Sequence, residues 1–119
     1  MQEHAGHLAD LDRILYHPRV FAYERGDSTL LAADLTNATT HAANHNARTM
    51  EEVLADVMRE RNALVVHLES IDPALFARSA VHPRLAVPMR LVDLMLFVAE
   101  HDDHHLASIT ELARKRDAE

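Results

Sequence analysis

Apolar residues recur at helical spacing in three stretches of the chain. In residues 2–16, Leu8, Leu11, Ile14 and Leu15 share one face, which predicts an amphipathic helix. His17-Pro18-Arg19 follows. Proline disfavours helical geometry in the residue before it, so this helix is expected to end there. Thr49-Met50-Glu51-Glu52 is a capping box, and the helix it opens is expected to run to about Ser70. Its stripe is Val53, Leu54, Val57, Met58, Arg61, Leu64, Val65 and Leu68, and Ile71-Asp72-Pro73 closes it. The last stripe begins Leu91, Leu94, Met95, Val98 and resumes at Ile109 and Leu112. Pro88 suits the first turn of that helix, and Arg114, Lys115 and Arg116 suit the negative end of its dipole. Between the stripes the pattern is weaker. Gly26-Asp27-Ser28 signals a turn, with a short helix expected over 29–35 and broken helix and loop after it. Residues 74–87 read as an irregular connector.

Three long helices with extended connectors indicate an all-α bundle. The 119 residues suffice for one domain, 1–119, with a modest core. Only 2 glycines and 4 prolines argue against an all-β fold, which needs many tight turns. A net charge of −7 without a Lys/Arg cluster disfavours nucleic-acid binding. There is no cysteine, so a metal would have to be held by histidine or carboxylate. The longest apolar run, Leu94 to Ala99, is too short to span a bilayer, and the opening residues are polar and acidic rather than leader-like. A soluble cytoplasmic protein, with no membrane partner, is the expectation.

Histidine is the outlier, with 10 copies scattered from His4 to His105. His101 and His105 stand at i and i+4, so their rings stack one turn apart on one helix face and can aim at one ion. The spacing alone is weak: chance gives about one such pair at this histidine content, and His41/His45 is a second. Direction discriminates better. His101 and His105 continue the apolar sector set by Leu94, Val98, Ile109 and Leu112, Asp102 lies at its edge, and Asp103 and His104 fall outside it. Imidazoles on a core face need partners for their ring nitrogens, and a shared metal ion would serve both. A third ligand must come from elsewhere. The first helix offers His4 and His7, and helical geometry does not choose between them. His41 and His45 read as solvated loop residues, and His17, His67 and His82 as surface or capping ones. Three histidines with an open position describe a catalytic rather than a structural site.

Several segments resemble the DinB family of small helical metalloproteins, in its YfiT-like second subfamily. "EHAGHLADLD" at 3–12 resembles the segment around that family's first metal histidine. "NHNARTMEEVL" at 44–54 is similar to its crossover and the start of the following helix. "HPRLAVPMRLVDLMLFVAEHDDHHLASI" at 82–109 closely resembles its last connector and helix. The resemblance covers nearly the whole chain and implies a four-helix bundle with one divalent ion on His7, His101 and His105. The family's bundle has a further helix before the "HLAD" segment, and Met1 lies six residues before His7. The implied fold is therefore a DinB-like bundle without its first helix, the sequence being either N-terminally truncated or built without it: three long helices plus a short helical crossover. Its uncovered apolar face would pair with a second copy in a homodimer.

The resemblance also orders the functions. The first expectation is a metal-dependent S-transferase using a low-molecular-weight thiol and a small electrophilic substrate. The metal, Zn or Ni on this donor set, would favour the thiolate. The second is a metal-dependent hydrolase, with Asp102 as the base; Asp102 reads more simply as an acceptor orienting a ligand imidazole. The third is a non-catalytic helical interaction or stress-response module with a structural or vestigial metal site.

Overall fold

The computed structural model describes residues 1–118. Helix α1 (Gln2–Leu11), a π-helical turn (Asp12–Tyr16) and helix α2 (His17–Arg25) form one continuous rod. Pro18 does not end it, contrary to the expectation from the sequence. A proline removes one N–H and crowds the carbonyl four residues back, here that of Ile14. The wider π-turn lies at that carbonyl and accommodates the crowding, so the helix passes through. The rod stops at Gly26, whose φ of 76° needs no Cβ. There the Asp27 N–H donates to the Ala22 carbonyl at 3.0 Å and the Gly26 N–H to Tyr23 at 3.2 Å, a Schellman ending.

The short helix expected over 29–35 does not form. Leu30 N donates to the Val81 carbonyl and Val81 N to that of Ser28, at 3.0 and 2.8 Å, so this backbone pairs with a distant segment instead. Its partner is a small antiparallel hairpin of β1 (Ser79–Val81) and β2 (Pro88–Arg90), in which Val81 faces Pro88. Pro88 is thus a strand residue rather than part of the last helix. A short helix α3 (Ala38–Ala43) and a 3₁₀ turn (His45–Ala47) lead to α4 (Met50–Ser70). As the capping box predicts, the Thr49 hydroxyl accepts from the Glu52 N–H at 3.2 Å. Helix α5 (Leu91–Ala118) closes the fold, preceded by a hydrogen bond from the Arg90 N–H to the Asp93 carboxylate.

The long segments make an all-α bundle with a short helical crossover. Helix α4 runs parallel to the rod, since Gln2 bonds Arg48 while Asp12 meets Arg61 and His17 meets His67. Helix α5 runs antiparallel, with His4 at His105 and Tyr23 Oη donating to the Met89 carbonyl at 2.6 Å. The main core joins α2, α4, α5 and the hairpin through Val20, Tyr23, Leu30, Leu64, Leu91 and Leu94. A smaller cluster of Leu15, Tyr16 and Val98 sits between the rod and α5.

The stripe on α4 is only partly used. Val53 and Leu64 are buried, but Leu54, Met58 and Val65 are exposed, and Met58 is 72% accessible. On α5, Val92, Leu96 and Leu106 are likewise exposed. Each helix meets its neighbours over one sector, and a stripe wider than that sector spills into solvent. Among the described residues, no helix is long and apolar enough to cross a membrane.

Candidate metal centre

His7 projects from α1, and His101 and His105 from α5. One ring nitrogen from each can be chosen so that all three lie within 4.8 Å of one another. The ring centroids are 4.6 Å apart for His101 and His105, 4.8 Å for His7 and His105, and 5.4 Å for His7 and His101. His4 is not one of the three. Its Nδ1 lies 2.8 Å from Nδ1 of His105, which places it beside the cluster as a hydrogen-bond partner.

His7 is oriented by a chain of contacts that begins at a glycine. A Cβ on Gly6 would lie 2.3 Å from the His45 ring, so this helix position must be bare for the ring to pack against it. His45, 3% exposed, places Nε2 2.7 Å from Asp10 Oδ2. Asp10 in turn accepts from the Thr40 hydroxyl at 3.4 Å, and Thr40 Oγ1 is 2.8 Å from His7 Nδ1. If the hydroxyl proton goes to Asp10, Thr40 can only accept from His7. That assigns the proton to Nδ1 and leaves the Nε2 lone pair free, the tautomer a metal ligand needs.

The solvated loop expected around His45 is therefore not what forms: His45 is buried, while His41 is exposed. Asn44, at φ 51°, breaks the helix between them, so their i, i+4 spacing does not put them on one helix face. His82, expected at the surface, is buried as well. His17 and His67 bond each other across α2 and α4, with Nε2 and Nδ1 2.9 Å apart.

The sequence profile of the DinB superfamily matches residues 1–109. The chain belongs to the DinB superfamily. No curated protein matches it. Among solved structures it is similar to YfiT from Bacillus subtilis, described as a probable metal-dependent hydrolase with an unusual four-helix bundle topology. The TM-score is 0.77 at 23% identity, covering 98% of this chain and 66% of that one. The likeness shows a shared DinB fold, of which this chain spans about two thirds of YfiT's length.

The donor set of this DinB chain fits a divalent ion. Burial, then the neighbouring His101, lowers the His7 pKa. Burial, then His101 and His7, brings His105 down to about 4. Both rings are therefore neutral at pH 7, as ligation requires. His101 buries an Nδ1 that no protein group satisfies, and an orphaned buried nitrogen costs about 1–3 kcal/mol unless something meets it. Three imidazole donors suit a borderline ion better than a hard one.

Asp102 stands where the stripe placed it, beside His101, but its nearest oxygen is 3.8 Å from Nδ1, beyond hydrogen-bond reach. Its Oδ2 is held by Arg61 at 2.6 Å, and Arg61 also clasps Asp12 with two bonds of 2.7 and 3.0 Å. Burial pushes the Asp102 carboxyl upward, but His101 and Arg61 outweigh it and hold the group below the usual range. Tyr16 presents its ring edge-on to His101, and burial followed by Asp102 pushes its phenol up to about 12, so it stays protonated.

The histidines line one part of a cavity of about 490 Å³. Leu11, Leu15, Tyr16 and Phe97 supply much of its wall. A cavity this large, mostly apolar and with a few convergent polar groups, suits a small molecule. Sequence reading missed Asp10, Thr40, His45 and Arg61 as supports of the cluster. Two signals were available: Gly6, since glycine inside a helix costs about 1 kcal/mol and asks for a packing reason, and Arg61, a cation on the apolar stripe of α4.

Proposed function

We propose that this DinB protein is an enzyme dependent on one divalent metal ion, Zn or Ni on this donor set, held by His7, His101 and His105. The observation that carries the reading is the convergence of three imidazole nitrogens within 4.8 Å beside a small-molecule cavity. When bound, the ion supplies Lewis acidity that lowers the pKa of a nucleophile's proton. The chain's own groups do the rest. Thr40 and Asp10 hold the His7 tautomer, Arg61 pins Asp102 beside His101, and Leu11, Leu15 and Phe97 keep water from one side of the substrate.

The first reaction class is transfer of a low-molecular-weight thiol to a small electrophile. Asp102 favours it over hydrolysis. A carboxylate with a depressed pKa and one oxygen on a guanidinium is a weak base, and thiol chemistry needs less help from one. The likeness to YfiT, described as a probable metal-dependent hydrolase, favours the second class, hydrolysis. Metal analysis of tag-free protein is the first test. One ion per chain in the wild type, lost in His105→Ala, supports the site. Equal, low metal content in both rules it out. Turnover of an electrophile only with added thiol supports transfer, and turnover of an ester without it supports hydrolysis. Stability that depends on metal, without either turnover, would return the protein to the class of interaction modules.

The exposed apolar residues Leu54, Met58 and Val65, which share one face of α4, support a homodimer formed on that face. Light scattering checks it: a dimer that Met58→Lys converts to monomer supports the face, and a wild-type monomer overturns it.

A further inference from the structure

The cavity that reaches the histidines also reaches Arg19, which lies on α2 beyond the π-turn. Arg19 is 2% exposed. Its Nε and Nη2 both donate to a single acceptor, the Leu31 carbonyl, at 3.0 and 2.8 Å. That occupies one edge of the guanidinium. The end-on fork of Nη1 and Nη2 keeps the remaining donors, and a fork of this shape fits two oxygens of one anionic group. Among the described residues, no carboxylate forms an ion pair with Arg19, and burial lowers its pKa. A buried cation without a counter-ion is costly. The fold places one on the wall of the cavity that the three histidines also line.

Two neighbours extend the same chemistry. His82 is buried, and its Nδ1 accepts from the N–H groups of Arg84 and Leu85 at 3.2 and 3.1 Å. A neutral ring so engaged carries its proton on Nε2, which makes that nitrogen a donor. Arg84 lines the cavity too. The two carboxylates on the cavity wall lie elsewhere or are engaged: Glu3 is beside His41, and Asp34 bonds the Thr36 hydroxyl and N–H and the Ala38 N–H.

We infer that the cavity takes an anionic small molecule, its carboxylate or phosphate gripped by Arg19 with His82 and Arg84, and its apolar body lying along Leu15 and Phe97 toward the histidines. The inference names the substrate class of the proposed enzyme and rests on that reading for the histidine end only. Twelve residues separate His7 from Arg19, which at ~1.5 Å per residue limits the span to about 18 Å. An elongated acid of ordinary metabolite size fits within it.

The test is calorimetric binding of matched probes to the purified protein: 4-phenylbutyrate, its neutral amide 4-phenylbutyramide, and phenyl phosphate. The butyrate is expected to bind roughly tenfold or more tighter than the amide, as a charge-assisted fork predicts. Equal binding of the two overturns the inference. The comparison of butyrate with phenyl phosphate tells a carboxylate site from a phosphate one. Arg19→Met should erase the preference, while Arg84→Ser, a milder change at the surface, should shrink it. A metal ion could also anchor an acid, so the same pair is measured on His105→Ala. A preference that survives in His105→Ala and disappears in Arg19→Met supports the Arg19 site even if the metal reading fails. A preference lost in His105→Ala and kept in Arg19→Met places the anion at the histidines and overturns it.

Discussion

The two halves of the rod are built differently. Before the π-turn, α1 buries His7 and Asp10, and the turn itself buries Asp12. These groups are held by Thr40, His45 and Arg61 from other elements. After the turn, α2 buries Val20, Ala22 and Tyr23 against Leu64, Leu91 and Leu94. Beside Ala5, Leu8 and Ala9, the first half thus buries a polar network in which each group depends on the next. The second, apart from the buried Arg19, packs as an apolar core. The difference teaches where this fold keeps its stability and where it keeps its chemistry. Apolar burial favours folding in proportion to area, whereas a buried polar network is valuable mainly for the geometry it imposes.

The comparison can be broken most forcefully in the apolar half. Leu94 is fully buried, and Leu94→Ala should cost about 2–5 kcal/mol in urea unfolding, with metal affinity of the folded protein unchanged. A large affinity loss would show that the two halves are not separable. In the polar half, Gly6→Ala drives a Cβ into the His45 ring and should destabilise by about 1–3 kcal/mol. Because it disturbs the chain that orients His7, it should also weaken metal binding about 10–100-fold, read by competition with a chromogenic chelator.

Acid should unsettle the polar half first. His7 and His105 have folded pKa values below the unfolded 6.5, so the unfolded chain binds protons that the folded one refuses. Stability of the metal-free protein should therefore be unaffected by these groups above pH 6.5. It should decline as pH falls from there toward about 4, the His105 value. Unfolding measured across that window checks it, and His105→Asn should flatten the slope. The smallest effect belongs to a residue outside both halves. Thr49→Ala removes the α4 cap and should cost about 1 kcal/mol without touching metal affinity.

The three long helices were legible because a 3.6-residue apolar period and a capping box are local signals. The inward direction of His101 and His105 was legible for the same reason, since Val98 and Ile109 mark the core face on either side. The rod's passage through Pro18 was not. A proline's local preference is to end a helix, and only the π-turn before it lets the chain continue. The strand at Pro88 and the missing helix over 29–35 failed for a related reason: backbone pairing between Ser28, Leu30 and Val81 outweighs local propensity.

The supports of the site were hidden most completely. Asp10, Thr40, His45 and Arg61 lie on four different elements, and their relation exists only once α1, α3 and α4 pack. By itself, the sequence determined where the three long helical stretches lie, part of the face each turns inward, and two histidines one turn apart on the core side of α5. The tertiary structure decided that His7 meets them, that His4 stands one contact behind, and that Arg19 is buried on the same cavity. The physical reason is range. Helical period and caps act over one or two turns, whereas a hydrogen-bond network depends on which distant faces are brought within 3 Å.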